Sequence, residues 1–405
     1  MRQRGTIDQV LGRFSKKPLH KLQTQVLNAL RIGAFQLLYL DRIPASAAIN
    51  ETVKALKVLK YPQWITGFVN GILRNLDRNR ETLSSEKCSA AERNHPDWLV
   101  EKWQKQYGRK PAEHMCAIND SLPDLTLRVR DKVELDDYLS SLHARGVTAE
   151  KGAYAPRALH IKDWKGGITE LPGFEEGFFQ VQDEAAQLVS LLLAPFEKGR
   201  YLDGCAGLGG KTTHVRELLT PVNELVAVEP QINRYNLLQE NLGRFDMSTS
   251  VQTMNNCLDA LLSTAKHQFQ GILLDAPCSG TGVIRRHPDI RWSRKEQDLA
   301  GYQDQQRKLL ETAARLLKQM GILVYATCSI EPEENEQVIK EFLHGHKDFV
   351  LSNAADYLPR QAADLVDAEG FFRSLPDRNI DGFFAARLQR IKTSAPGDNN
   401  VCIGS

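Results

Sequence analysis

The sequence predicts an α/β protein in which a doubly wound, mostly parallel sheet follows an all-α region and a small α+β block. Three observations carry that expectation. From about residue 177 onward, short apolar runs alternate with helical segments, the pattern of a parallel sheet covered on both faces. The first 80 residues instead repeat apolar side chains at helical spacing. Between these regions lies a strand–helix–strand pattern with no partner of its own class.

Taken in order, Leu22, Val26, Leu27, Leu30 and the run 32–40 mark a first helical stretch, 45–59 a second and 62–76 a third, with Pro44 and Pro62 as punctuation. Residues 96–118 read as helix again. Leu125–Val129 alternates as a strand, 134–145 is helical and 158–163 is a strand. The later strands are expected at 201–203, 225–229, 251–255, 271–275 and 322–326, with a long helix over 294–319 and a last, antiparallel strand at 382–389. The expected organisation is a helical domain at 1–80, a helical linker at 81–122, a small α+β subdomain at 123–172, the main domain at 173–392 and a disordered tail at 393–405.

Composition narrows the class. Of 405 residues, 42% are apolar, and 52 Lys+Arg stand against 50 Asp+Glu, so a polybasic coat is excluded while a local basic patch is not. Such a patch exists at the start, where residues 1–31 hold seven Lys/Arg and one acid. That run is either a solvated helix face or a surface for RNA. No apolar run approaches the roughly 18 residues of a membrane span, and the polar opening residues carry no secretory pattern. The seven cysteines are odd in number and none sits in a CxxC. Neither a disulfide framework nor a metal site is expected, and a reducing, cytoplasmic setting fits best. Any functional cysteine should then act as a thiolate.

After the strand at 201–203 comes Gly204-Cys205-Ala206-Gly207-Leu208-Gly209-Gly210-Lys211-Thr212-Thr213. Glycines between a strand and a helix let backbone approach a ligand and present helix N–H groups to it. The phosphate-binding loop requires glycine where Cys205 stands, and G-x-G-x-x-G is absent too. The next strand ends in Glu229, placed to accept hydrogen bonds from ribose hydroxyls of an adenosine-bearing cofactor.

Two further strand ends carry thiols. Asp275-Ala276-Pro277-Cys278 follows one strand and Thr327-Cys328-Ser329 the next. Ligands of open α/β sheets bind outside the carboxyl ends of strands, so both thiols face the crevice of the glycine turn. A buried structural role is the usual fate of a single cysteine, but two at successive strand ends, one beside an acid, point to chemistry. The residues themselves do not rank the two thiols.

These segments resemble the S-adenosylmethionine-dependent RNA 5-methylcytosine methyltransferases, in particular the bacterial ribosomal RNA type with a NusB-like N-terminal domain. The resemblance runs from about residue 20 to about 390 and is most specific at 203–213, 275–292 (DAPCSGTGVIRRHPDIRW) and 325–336 (YATCSIEPEENE). Residues 177–183 match the segment that opens the family's catalytic domain, and Arg42-Ile43-Pro44 with 68–74 are landmarks of the NusB-like domain, whose first helices the chain is expected to lack. Two departures stand out: Gly207-Leu208 replace the family's Ala-Pro, and its acid near the adenine aligns with Asn256, with Asp259 a neighbouring alternative.

The resemblance implies a Rossmann-like methyltransferase domain that binds S-adenosylmethionine through Cys205, Ala206, Gly207, Leu208, Gly209, Gly210, Lys211, Glu229, Asn256 and Asp275. It implies Cys328 as nucleophile on C6 of a cytosine, Cys278 as the thiol assisting product release, and Asp275 as the carboxyl steadying the ring. Lys211 is expected either to lower a thiol pKa or to hold the cofactor's carboxylate. Residues 283–295 hold five Lys/Arg and one acid. Arg285, Arg286, His287, Arg291 and Trp292 are therefore expected to grip single-stranded RNA, phosphates on the cations and a base on the indole. The expected partner is small-subunit ribosomal RNA, acted on by a monomer. Two alternatives remain: transfer RNA as substrate, and a non-catalytic NusB-like RNA-binding factor with a degenerate methyltransferase domain.

Overall fold

The computed structural model describes residues 1–85, 91–265 and 268–392. The expected disordered tail at 393–405 lies outside the described residues. By contact the chain divides into two units, Met1–Leu122 with Arg286–Ser293, and Pro123–Arg285 with the chain from Arg294 onward.

The first unit is helical, with helices at Arg4–Phe14, Thr24–Tyr39, Ala45–Val58, Gln63–Arg78, Arg80–Ser85, Asp97–Tyr107 and Arg109–Asp120. Pro44 and Pro62 stand immediately before helices, where a missing N–H costs nothing. The apolar stripes of the first four helices meet in a core that includes Leu11, Leu30, Ala34, Val69, Leu73 and Leu76, all fully buried. The single helix expected over 96–118 is two, because Gly108 adopts φ +88°, a conformation that ends one helix and starts the next.

The second unit holds two sheets. The small one comprises β1 (Leu125–Val129), β2 (Ala149–Lys151), β3 (Ala158–Ile161) and β4 (Phe179–Val181), antiparallel in the order β2-β3-β1-β4. Its fourth strand lies beyond the residue 172 boundary expected from sequence. The large sheet contains β5 (Arg200–Asp203), β6 (Glu224–Val228), β7 (Gln252–Met254), β8 (Phe269–Asp275), β9 (Leu317–Thr327), β10 (Phe349–Ser352), β11 (Phe372–Ser374) and β12 (Phe383–Arg390). Its order is β10-β12-β9-β8-β5-β6-β7, with β11 pairing β12. The five strands β5 to β9 run parallel, and β12 is antiparallel to β9. The helix expected to reach 319 ends at Leu316, where Leu317 enters β9.

Chain order reverses between β5 and β8, which opens a crevice at their carboxyl ends. Apolar layers cover both faces of the sheet. The small sheet is tied to the helix Gly210–Leu218 by charge: Glu217, almost wholly buried, accepts from Arg128 and from Arg130 Nε (2.6 Å), and Arg128 also donates to Thr213 (2.9 Å). That helix begins at the glycine-rich turn; the ion pairs hold its last turn, and the Arg128–Thr213 hydrogen bond holds its first. Among the described residues no helix is long and apolar enough to cross a membrane.

Candidate active site

The crevice is built from five strand ends. Asp203 closes β5 and leads into the glycine turn, where Gly207 (φ +56°) and Gly209 (φ +87°) take conformations that favour glycine. At Gly209 a Cβ would also sit 2.6 Å from Leu238. The turn is fastened to its neighbours by Gly204 N–H to Leu273 O (2.9 Å) and Ala206 N–H to Val228 O (3.0 Å). Glu229, just past β6 and only 4% exposed, accepts from Gly207 N–H (3.0 Å) and Gln231 N–H (2.8 Å). A carboxylate offers about four acceptor sites, so capacity for ribose hydroxyls remains. Burial pushes the Cys205 thiol up, which leaves it inert and lends the turn only its backbone.

Past β7, Asn256 is exposed and its amide oxygen accepts from Cys257 N–H (2.8 Å), while Asp259 accepts from the Thr312 hydroxyl (2.6 Å). A glycine cradle, a helix N-terminus and a carboxylate at the second strand together fit an adenosine-bearing cofactor.

Lys211, on the first turn of the helix, reaches back to Asp275 at the end of β8, with Nζ to Oδ2 at 2.7 Å. Burial alone would lower the ammonium. The Asp275 carboxylate outweighs it, with Cys328 and Asp203 adding, and holds Lys211 above the usual lysine value. Its ammonium also lies 5.1 Å from the Phe383 ring centre.

The thiols meet. Cys278 Sγ is 3.3 Å from Cys328 Sγ, although 50 residues separate them in sequence. The hydrogen bond to Cys328 comes first in pushing the Cys278 thiol well above its ordinary value, followed by burial, with the Glu334 and Asp275 carboxylates contributing. Cys278 therefore holds its proton firmly, and either sulfur can donate to the other across the contact.

Both cysteine turns are held from behind by a polar network that sequence reading missed. Glu334, fully buried, accepts from Ser279 N–H (2.8 Å), from the Ser279 hydroxyl, from the Ser329 hydroxyl (2.6 Å) and from the Gln306 amide (3.1 Å). Asn335 joins Thr327 (2.6 Å) to the Ser329 carbonyl (2.9 Å). Gly282 N–H meets Cys328 O at 3.0 Å and its own carbonyl accepts from Gly382 N–H at 2.8 Å. A Cβ at Gly282 would fall 2.0 Å from Gly382 O, so only glycine fits there. Glu334 and Asn335 lie inside the 325–336 segment, but nothing in their spacing announces the carboxylate's four donors.

Asp203 carries a testable pH effect. Burial pushes its carboxyl up to about 6, the Thr212 hydroxyl (2.7 Å) opposing this and Asp275 adding to it. The folded value exceeds the unfolded one, so the stability contributed by this group is full below about pH 4 and lost as pH rises through 6. Asp203→Asn should flatten the pH dependence of thermal unfolding between pH 4 and 7, an effect on the order of 3 kcal/mol. An unchanged slope in calorimetry would place the titration elsewhere.

The basic segment corrects two expectations. Arg291 is fully buried: Nη1 donates to Asp120 Oδ1 (2.6 Å) and Asn94 O (3.1 Å), and Nη2 to Asn119 O (2.7 Å), all within the helical unit. Arg285, 3% exposed, donates to Arg378 O (2.7 Å) and pairs with Asp381 (3.5 Å). Guanidinium groups so enclosed present nothing to a phosphate. Trp292 is half-buried, donates to Met1 O (3.0 Å) and carries the Arg4 guanidinium 4.6 Å over its ring. His287 alone of the five is exposed, with Arg286 half-buried.

Compared with known proteins, the chain matches the model of the 16S rRNA methyltransferases RsmB/F over residues 190–389. It also matches the NusB family over residues 1–78 and the ferredoxin-like domain of RsmF/B-like methyltransferases over residues 95–164. It is 38% identical over 389 residues to a ribosomal RNA small subunit methyltransferase B of Photorhabdus laumondii, covering 95% of this chain and 86% of that protein. A protein of the same description from Pasteurella multocida is 38% identical over 396 residues, covering 95% and 84%. Among solved structures, PH0851 superposes with a TM-score of 0.80 at 26% identity, covering 96% of this chain and 87% of that one.

Proposed function

The chain belongs to the RsmB/F family of ribosomal RNA methyltransferases, and we propose that it transfers a methyl group from S-adenosylmethionine to C5 of a cytosine in small-subunit ribosomal RNA through a covalent cysteine adduct. The observation that carries the covalent reading is the pair of sulfurs in contact at two adjacent strand ends, one of them holding the proton. The glycine turn, Glu229 and Lys211 are the residues that would hold the cofactor, with Asn256 or Asp259 beside the adenine, each with one oxygen already engaged. When bound there, S-adenosylmethionine supplies an electrophilic methyl group.

Everything else falls to the protein. C5 of cytosine is a poor nucleophile until a thiolate adds to C6 and makes it enamine-like, which splits one hard step into easier ones. Cys328 is the sulfur that adds, as the family resemblance implies, and Cys278, whose surroundings hold its proton on, is its protonated partner. Asp275 accepts from the exocyclic amine of cytosine, a donor where uracil has an acceptor. Lys211 keeps that carboxylate paired and in place. For release a base takes the C5 proton, its bonding pair closes the C5–C6 double bond, and Cys328 leaves as a thiolate onto which the Cys278 S–H donates. The target base must leave its stack to reach this pocket.

Incubation of the purified protein with labelled S-adenosylmethionine and undermethylated small-subunit rRNA tests this reading. 5-Methylcytidine is the expected labelled nucleoside; label in any other nucleoside, or none, would contradict it. Glu229→Ala should weaken cofactor binding by about 1.5–3 kcal/mol while RNA binding holds, since it removes a charged acceptor. Titration calorimetry reads both, and equal cofactor affinity would give Glu229 another role.

The helical unit contributes RNA affinity, and the protein works in the cytoplasm as a monomer. Its exposed Trp64 (72%) borders a groove lined by Lys17, Leu22 and Phe68 that suits an unstacked base. Each phosphate contact steepens the salt dependence by about 0.7 per contact for single strands. Lys16→Glu with Lys17→Glu should flatten that slope and raise KM for RNA, leaving kcat alone. An unchanged slope would remove this surface from the RNA path.

A further inference from the structure

We propose that Glu334 is the positioning residue that keeps the Cys278 and Cys328 sulfurs in contact, and that product release depends on this contact more than attack does. Glu334 works through the residue that follows each cysteine. Ser279 gives it a backbone N–H and a hydroxyl, Ser329 a hydroxyl, and the two serine oxygens are themselves 3.1 Å apart. Gln306, from the helix Asp298–Leu316, completes the set and also donates to Pro277 O at 3.0 Å, one residue before Cys278. Tyr325 fixes the backbone of Glu334 through its carbonyl at 2.6 Å. All three side chains donate to it as it stands, so a carboxylate accepts from every one, whereas an amide would set an N–H against the serine hydroxyls and oblige them to turn round and accept. Buried and fully engaged, such a network has one geometry, and losing an acceptor leaves a donor unpaired.

The consequence is unequal for the two halves of the reaction. Addition to C6 needs Cys328 alone. In release, the C6–S bond breaks as the C5–H pair closes the double bond, and the departing Cys328 thiolate is stabilised by the Cys278 S–H only while the sulfurs stay near 3.3 Å. A relaxed network moves Cys278 away and penalises release.

This inference rests on the covalent reading above, and the experiment separates the two. In Glu334→Gln, turnover should fall about a hundredfold, the usual cost of a misplacement near 1 Å. Single-turnover methyl transfer should fall less than about tenfold, and a covalent enzyme–RNA complex should accumulate. Phenylarsine oxide, which needs two sulfurs within reach, should shield both cysteines from alkylation in the parent protein and fail to do so in the variant. Ser329→Ala removes one strap and should show the same bias more weakly, which keeps the test open if Glu334→Gln does not fold. Equal losses in transfer and turnover, or unaltered arsenical binding in both variants, would overturn the proposal. If Cys278→Ala also traps no RNA, the covalent reading has failed; if it traps RNA while these variants do not, only the role of Glu334 has.

Discussion

Cys278→Ala is expected to arrest as an enzyme–RNA complex that survives denaturing electrophoresis, whereas Cys328→Ala binds RNA reversibly and leaves no such complex. The asymmetry follows from the order of bond making and breaking. Without Cys328 there is no sulfur to add to C6, and turnover should fall to background. Without Cys278 the addition and the transfer proceed, but the departing thiolate loses the S–H that sits 3.3 Å away in the resting site. A C–S bond resists detergent, so the stalled species is read on a gel with labelled RNA. The proposed division of roles agrees with the surroundings of Cys278, where the hydrogen bond to Cys328, burial and the Glu334 and Asp275 carboxylates hold its proton on. A purely structural pair would trap RNA in neither variant. Trapping by Cys328→Ala alone would reverse the assignment.

Asp275→Asn should cost roughly 10²–10³ in turnover with little change in RNA affinity. In the proposed reaction the carboxylate meets the exocyclic amine where charge develops, and its replacement by an amide also strands Lys211, which is only 11% exposed and would lose its counter-ion. Lys211→Met should cost a comparable factor. The double variant should be scarcely worse than either single one, because residues of one ion pair act as a unit. Steady-state kinetics with rRNA measures this. Additive losses would show that Lys211 and Asp275 serve separate steps.

The sequence revealed most of the α/β architecture through local pattern. Strands β5, β6, β8 and β9 were legible because apolar runs end in Asp203, Glu229, Asp275 and Thr327, each followed by a turn. Local pattern cannot report pairings made at a distance, and the misreadings share that cause. Strand β4 joins the small sheet only through its register with β1, 50 residues earlier, so the boundary near 172 looked natural. The basic run 283–295 looked like a surface because Asp120 and the carbonyls of Asn94 and Asn119, which enclose Arg291, lie more than 170 residues away. The candidate cluster was legible for another reason: Asp275, Cys278 and Cys328 stand at or just past strand ends, Lys211 opens the helix after the glycine turn, and the fold gathers these places. Glu334 and Gln306 escaped because they stand on helical segments behind that cluster.

The account's central claim is that Cys328 makes the covalent bond to the cytosine, and peptide mapping of the trapped complex tests it most directly. The Cys278→Ala protein is incubated with S-adenosylmethionine and rRNA, digested with nuclease and protease, and the nucleotide-bearing peptide is sequenced by mass spectrometry. The expected product is a methylated cytidine nucleotide attached to the peptide at Cys328. A nucleotide on another cysteine, or a complex that carries no sulfur-linked nucleotide, would contradict it.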